Sequence, residues 1–329
     1  MNREAFLTPI RNVVERATNV RVHEDQIQAV ADWMAYESLP WPDFRSPLVP
    51  DTPDAAESDT MDFLFLTSTI NFAFTDFEEH RIFQTELSGR TYFDSDAMMA
   101  CLRRAYDSKT PILEGEFLAG ASRSDLAAIF AGNIEMPLLD ERVRIFREIG
   151  SVLMDGFGGR FHNFAREHTP RAYAEPGGLL AALVEMFPSF RDDAEYRGAR
   201  VVFHKRAQLL LWQLHARFRE SGYFRLEDPE SLTAFADYIV PVALRLLRIT
   251  SYSPELEDAI NRRELLPKGG EKEVEIRAAS IWACHLLTRA INERRPPELQ
   301  VVDAVVDGRL WTHYHETHWP HHLTVTTSY

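Results

Sequence analysis

The sequence predicts a mainly α fold with a small antiparallel β element near residues 61–94. Three observations predict it. From residue 95 onward, apolar residues recur at helical spacing between residues that suit helix ends. Residues 1–39 show the same spacing twice. Residues 61–94 depart from it, being rich in Phe and β-branched residues around a turn signal.

In order along the chain, VVERATNV and IQAVADWMAYESL read as the first helices. Residues 40–60 hold five prolines and few aliphatic residues, which suits a loop over the surface. In 61–94, FLFLT and NFAFT read as strands, and HRIFQTEL and RTYFD flank Ser88–Gly89 as a hairpin. Asp94 or Ser95 would cap the helix DAMMACLRRAYDS. Further helices are expected in SRSDLAAIFAG, LLDERVRIFREIGSVLMDGFGG, GGLLAALVEMFPSF, VVFHKRAQLLLWQLHARFRESG, DPESLTAFADY, PVALRLLRIT, SPELEDAINRREL and EKEVEIRAASIWACHLLTRAINERR. Residues 296–329 are mixed and end in a polar tail. The expected organisation is one structural unit, with 1–60 as N-terminal helices and a Pro-rich loop packed on a helical domain, 61–329.

The 329 residues carry 36 Lys and Arg against 50 Asp and Glu, a formal charge of −14. That disfavours a phosphate-tracking surface for duplex nucleic acid. It leaves room for a small phosphorylated ligand held by a few local cations. No run approaches the roughly 20 apolar residues of a membrane span, and the charged N-terminus has no apolar core of signal-peptide length. Cys101 and Cys284 fit no paired pattern and read as free thiols of a cytoplasmic protein.

TAFADYIVPVAL, residues 233–244, places Asp237 inside an apolar run. An unpaired buried charge is costly, so Asp237 faces solvent, is structurally paired, or is held in a pocket for chemistry. Asp228, Pro229 and Glu230 make a good helix start. Pro241 has no N–H for the Asp237 carbonyl, so a helix through SLTAFADYI must end or restart near 237–241. A helix restarting at Pro241 would aim free N–H groups toward the same space, which suits an anion.

FPSFRDDAEYRG (187–198), VVFHKRAQLLLWQL (201–214), LTAFADYIVPVAL (232–244) and EVEIRAASIWACHLL (273–287) occur in this order. Together with TINFAFTD, GRTYFDSDAMMACLRRAYD, MPLLDERVRIFREIG and GFGGRF upstream, they resemble the queuosine salvage protein family over roughly residues 20 to 315. The resemblance implies a single helical domain related to helical DNA glycosylases. It also implies hydrolysis of the N-glycosidic bond of queuosine 5′-phosphate, which releases queuine for tRNA modification, with no metal or cofactor. The FADY aspartate, here Asp237, would be the catalytic residue. The chain departs from the family pattern at Ile239 and Val242, where Arg and Gln are frequent. It departs again at Thr312 in LWTHYH, where Asp is frequent. His23 is the candidate for a ligand-binding His.

Breaking such a bond develops positive charge at the ribose C1′ and ring oxygen. A carboxylate beneath C1′ can stabilise that state, attack it, or activate water. Asp237 suits all three roles. Backbone groups around Phe235 and Ala236 would meet the base, Phe235 would stack on it, and Tyr238 completes the motif. Lys205 and Arg206 are adjacent in an apolar helix, so one of them would ordinarily face solvent. The resemblance favours Lys205 as the pocket residue, binding phosphate or holding Asp237 ionised. Arg191 is a phosphate candidate or a structural partner of Asp192. Glu273 and Arg277, four apart, read as a surface or interhelix brace, and Glu275 as a residue that orients a cation.

The stretch HYHETHWPHH, 313–322, contains five histidines. A metal site is the sharper reading of it, but the spacing matches no HExxH motif. By family position, Trp311, Thr312, His313 and His315 would cap the base or its cyclopentenediol; plain C-terminal packing is the simpler alternative. A noncatalytic queuine or nucleotide binder, a metal hydrolase and a glycosylase acting on an extruded base of a nucleic acid are the rival functions. The expected partner is the nucleotide alone, with no membrane and a monomeric chain.

Overall fold

A computed structural model of the chain describes residues 2–50, 56–174, 177–317 and 319–329. The fold is mainly helical, with three two-stranded antiparallel ladders among the described residues. It begins with α1 (Arg3–Arg16), β1 (Val20–Val22), α2 (Glu24–Met34) and α3 (Glu57–Thr69). The hairpin β2 (Gln84–Leu87) and β3 (Arg90–Phe93) leads into α4 (Asp94–Asp107), α5 (Gly115–Gly120), α6 (Arg123–Ile129), α7 (Leu139–Gly156), α8 (Phe161–Glu167) and α9 (Leu179–Met186). A second hairpin, β4 (Asp193–Tyr196) and β5 (Ala199–Val202), precedes α10 (Lys205–Phe218). Then come α11 (Val240–Leu246), β6 (Thr250–Tyr252), α12 (Pro254–Asn261), α13 (Glu271–Asn292) and α14 (Asp303–Tyr314).

The long helix α13 is the axis of the core. The residues from Glu273 to Ile281 are all buried, so α13 is covered on every side. Helices α1 and α2 pack on it from one side, α11 and α14 from another. The N-terminal segment is stitched in by β1, which pairs with β6 in the register Val20 to Tyr252. Glu275 fixes that ladder from within α13. Its carboxylate accepts the N–H groups of Thr18, Asn19 and Val20 and the Tyr196 hydroxyl. It orients backbone rather than a cation.

Helix ends follow local chemistry. Asn2 accepts from the Ala5 N–H at 2.9 Å. Ser122 and Asp125 form a reciprocal capping box at α6. Ser253 with Pro254 starts α12. The expected Ser88–Gly89 turn is present, with φ of 52° and 75°, the doubly left-handed geometry of a tight hairpin.

Several expectations are corrected. FLFLT is not a strand but part of α3, whose residues from Thr60 to Thr69 are all buried. A helix covered on all faces has no polar stripe, so its short apolar run carries no helical periodicity. Its Phe65 stacks on Phe161 with ring centroids 4.0 Å apart. NFAFT contributes one isolated bridge, Thr75 to Ile82. Residues 201–202 belong to a hairpin strand, and the helix after them begins at Lys205; Arg197 and Gly198 supply its two positive-φ turn positions.

A further correction concerns the central motif. No helix runs through SLTAFADYI: a 3-10 turn spans Pro229–Ser231, and residues 232–236 run without helix or strand to α11. Asp228 does not cap that turn with its side chain. Its carboxylate accepts the Ala172 and Tyr173 N–H groups from a distant loop, at 2.7 and 3.1 Å. Tertiary partners have replaced the helix hydrogen bonds.

The strongest of those partners is a buried ion pair. Arg277 of α13 grips Asp192 through two bonds of 2.8 and 2.6 Å, with both side chains almost fully buried. Asp192 also accepts the Lys205 N–H at 3.1 Å, and Glu273 approaches Arg277 at 3.4 Å. The Glu273–Arg277 brace is therefore interior, not a surface feature, and Asp192 pairs with Arg277 rather than Arg191. Burial alone would raise the Asp192 carboxyl; the Arg277 charge and hydrogen bonds outweigh it and hold it below the ordinary range.

Removing either partner leaves a buried charge uncompensated. Arg277→Met and Asp192→Asn should each cost about 3–5 kcal/mol in urea unfolding, and the double variant less than the sum. A carboxyl depressed in the folded state stabilises fully above its unfolded value, about 3.9, and loses that contribution as pH falls through its folded value. The deficit of Asp192→Asn against wild type should therefore shrink below about pH 4.

Candidate active site

Residues 232–237 cross the interior, and several of their polar groups are held by side chains from other elements. The Thr233 N–H donates to the Gln208 amide oxygen at 3.0 Å, and Gln208 returns a bond to the Thr233 hydroxyl. The Phe235 N–H donates to Asp307 at 2.8 Å. The Ala236 carbonyl accepts from Arg277 Nε at 3.2 Å. Asp237 follows, and its Oδ1 accepts the Ile239 and Val240 N–H groups at 3.0 and 2.9 Å. The carboxylate thus sits at the start of α11, where Pro241 follows Val240 in the first turn. A helix thus starts beside Asp237, but it is a first start and not a restart, and the two N–H groups near it are taken by Asp237 itself.

Asp237 is 6% exposed. Among the described residues, no Lys, Arg or His nitrogen lies within ion-pair distance of it. Burial pushes its carboxyl above the ordinary aspartate range, and the Lys205 charge and the two N–H donors pull it back. Lys205, at the first position of α10, is equally buried. Burial brings its ammonium down to about 8, against the attraction of Asp237 and Asp307. Asp307 of α14 is also buried and pushed well above the usual carboxylate range, by burial first and the Asp237 charge second. The centre therefore holds two interacting carboxyls and one lysine.

Next to this centre lies a cavity of about 130 Å³, lined by Tyr238, Ile239, His80, Arg263, His315 and His321 among others. The Tyr238 ring stacks on His321, with centroids 4.6 Å apart. Asp237 itself is not on the cavity wall, which is formed here by the next two residues, Tyr238 and Ile239. The C-terminal segment closes this side. Tyr329 is 4% exposed, bonds to His322 at 3.2 Å, and lies over the Arg277 guanidinium at 4.5 Å.

Of the residues singled out from sequence, Asp237, Phe235, Ala236, Tyr238 and Lys205 come together. The Phe235 N–H and the Ala236 carbonyl, expected to meet the base, are engaged by Asp307 and Arg277 instead. Neither Lys205 nor Arg206 faces solvent: Arg206 is 2% exposed and donates to the Thr69 and Ser189 carbonyls. Arg191 is exposed and holds the Val184 and Glu185 carbonyls at the end of α9. His23 precedes α2 and meets Ser251 at 2.8 Å. His315 reaches the cavity and stacks on Trp311 at 4.5 Å, whereas Thr312 and His313 are exposed. Among the described residues, no three His, Cys, Asp or Glu side chains gather as a metal site; His318 of the histidine stretch lies outside them. No helix among the described residues is long and apolar enough to cross a membrane.

Sequence reasoning missed Asp307 and the reach of Arg277. Asp303 and Asp307 are acids one turn apart in the apolar run VVDAVVDGRLW. That is the same signal that singles out Asp237. Asp192 and Arg277 are 85 positions apart, and no local pattern links them.

The family model described as queuosine salvage protein matches residues 51–329. A protein of Sphaerobacter thermophilus named queuosine 5′-phosphate N-glycosylase/hydrolase is 40% identical over 315 residues, covering 94% of this chain and 92% of its own. Proteins of the same name from Mus musculus and Schizosaccharomyces pombe are 32% and 31% identical. They cover 93% and 90% of this chain, and 91% and 87% of their own. With the FADY, KRAQ and EVEIR segments meeting at one buried centre and a family match over most of its length, the chain belongs to the queuosine salvage protein family.

Proposed function

We propose that this chain hydrolyses the N-glycosidic bond of queuosine 5′-phosphate and releases queuine, with Asp237 as the carboxylate that faces the ribose C1′. The relatives' shared name supports the reaction class. The observation that carries the role of Asp237 is its position: a buried carboxylate on two backbone N–H groups, near a lysine but not ion-paired with it. A carboxylate spent on a structural ion pair is unavailable to an oxocarbenium-like centre; this one is not so spent.

As the bond from C1′ to the base nitrogen breaks, the electron pair leaves with the base and positive charge spreads over C1′ and the ring oxygen. Asp237 stabilises that charge directly, by attack, or through a water that it deprotonates. All three roles need it ionised, and the buried Lys205 ammonium favours that form. The proposed ligand space is the cavity beside Tyr238, whose His80, Arg263, His315 and His321 suit an anionic, polar nucleotide. At about 130 Å³ it is smaller than the roughly 300–1,000 Å³ of pockets that enclose drug-sized ligands. Binding would therefore move the segment around His321 away from Tyr238 and open a path to Asp237.

Chromatography of queuosine 5′-phosphate incubated with the protein should show free queuine. Asp237→Asn and Asp237→Ala, folded by circular dichroism, should lose at least about a thousandfold in kcat. A folded Asp237→Ala that releases base at the wild-type rate would remove Asp237 from the chemistry. A wild type that binds the nucleotide and releases nothing would make the chain a binding protein. Lys205 gives the pH dependence its sign: charged below about 8 and neutral above, it supports Asp237 only on the acid side. The wild-type kcat should decline above pH about 8, and Lys205→Met should be slower throughout and lack that decline.

A further inference from the structure

The two acids that α14 sends inward are treated differently. Asp303 is matched by the Arg3 guanidinium at 2.5 Å, with the His285 ring nitrogen at 3.3 Å. Asp307, one turn later and equally buried, has no ion-pair partner among the described residues. Its Oδ1 takes the Phe235 N–H at 2.8 Å, two residues before Asp237. We propose that Asp307 is a positioning residue for the reaction, holding the Phe235–Asp237 segment against α14 so that a single carboxylate, Asp237, is presented to the breaking bond. This rests on the proposed function and adds a residue to it.

The division of labour follows from charge. Asp307 is faced by Asp237 from the crossing segment, Lys205 from α10, Cys284 from α13 and Asp303 on its own helix. Helix α11, which packs along α14, carries one titratable side chain, Arg245, and that is engaged by Glu257 and the Pro320 carbonyl. Two buried carboxylates beside one ammonium cannot both stay ionised, so the pair keeps one proton. Asp237 has two backbone N–H donors and Asp307 has one. Hydrogen bonds to the charged form favour ionisation where there are more of them. The proton stays on Asp307, whose carbonyl oxygen still accepts from Phe235.

Asp307→Asn keeps a neutral acceptor in place and Asp307→Ala removes it. In the queuine-release assay, Asp307→Asn should keep kcat within about threefold of wild type, while Asp307→Ala should lose at least about tenfold in kcat with little change in KM. Rescue by Asn separates positioning from mere stability. The acid limb of the kcat profile, which reports Asp237, should stay in place in Asp307→Asn. Loss of activity in Asp307→Asn comparable to Asp237→Asn, or an acid limb displaced downward by about a pH unit or more, would show that Asp307 is ionised in the working protein. Either would overturn the proposal.

Infrared spectroscopy supplies a readout independent of turnover. The neutral-carboxyl stretch at pH 7 should be present in wild type and absent from Asp307→Asn. An inert wild type would refute the proposed function. The infrared result, together with hydrogen exchange of the Phe235 amide in Asp307→Ala and Asp307→Asn, would still decide the placement of the proton and the anchor. Unchanged exchange in Asp307→Ala would overturn the anchor.

Discussion

The centre depends on one guanidinium. Arg277 binds both oxygens of Asp192, approaches Glu273, and donates to the Ala236 carbonyl, between the rings of Phe203 and Tyr329 at 4.0 and 4.5 Å. Through Asp192 it fixes the first residue of α10, and with it Lys205. Through Ala236 it fixes the residue before Asp237. Through Tyr329 it seats the end of the chain. A flexible ammonium could not meet these partners at once; the planar fork of an arginine can. The cost of burying it is offset only because every neighbour is placed for it.

That arrangement frees the other acids for different work. Asp192 and Asp303 have ion-pair partners, and Glu275 is consumed by backbone N–H groups. Asp237 and Asp307 share only Lys205, at a distance, and a few N–H donors. Asp192 and Asp303 are matched by full charges and Glu275 by a cluster of donors, while Asp237 and Asp307 are left with less. A deficit of that kind lifts a carboxyl toward neutrality and makes its charge responsive to what binds, which is the usual condition of acids that do chemistry. The raised position of Asp237 also sets a demand on the substrate. The developing positive charge of the ribose would complete the pairing that the protein leaves open.

Much of this was legible in the sequence where the cause is local. Ser88–Gly89 makes a hairpin because two residues there need positive φ. Pro241 suits the first turn of a helix, and α11 does start beside Asp237, although no helix precedes it. An acid in an apolar run singled out Asp237, which is buried, and the same rule applied to VVDAVVDGRLW would have singled out Asp307, which is buried too. What failed has a common reason. Residues 61–69 and 232–237 are buried on every side, so no polar face remains to reveal their conformation, and their backbone or side chains answer to distant partners. Asp228 looks like a helix cap and instead holds residues 172 and 173. The Arg277–Asp192 pair spans 85 positions. The family resemblance brought its two halves, EVEIR and SFRDD, onto one page without saying that they touch.

The most direct measurement is a crystal structure of Asp237→Asn soaked with queuosine 5′-phosphate, where slow turnover would leave the nucleotide intact. The expected result places C1′ about 3–3.5 Å from the side chain at position 237, with the C-terminal segment displaced from Tyr238 and Asp307 still holding Phe235. A nucleotide bound with its ribose directed away from position 237, while the 232–237 segment keeps its present form, would contradict the assignment of Asp237 as the acid that meets the breaking bond.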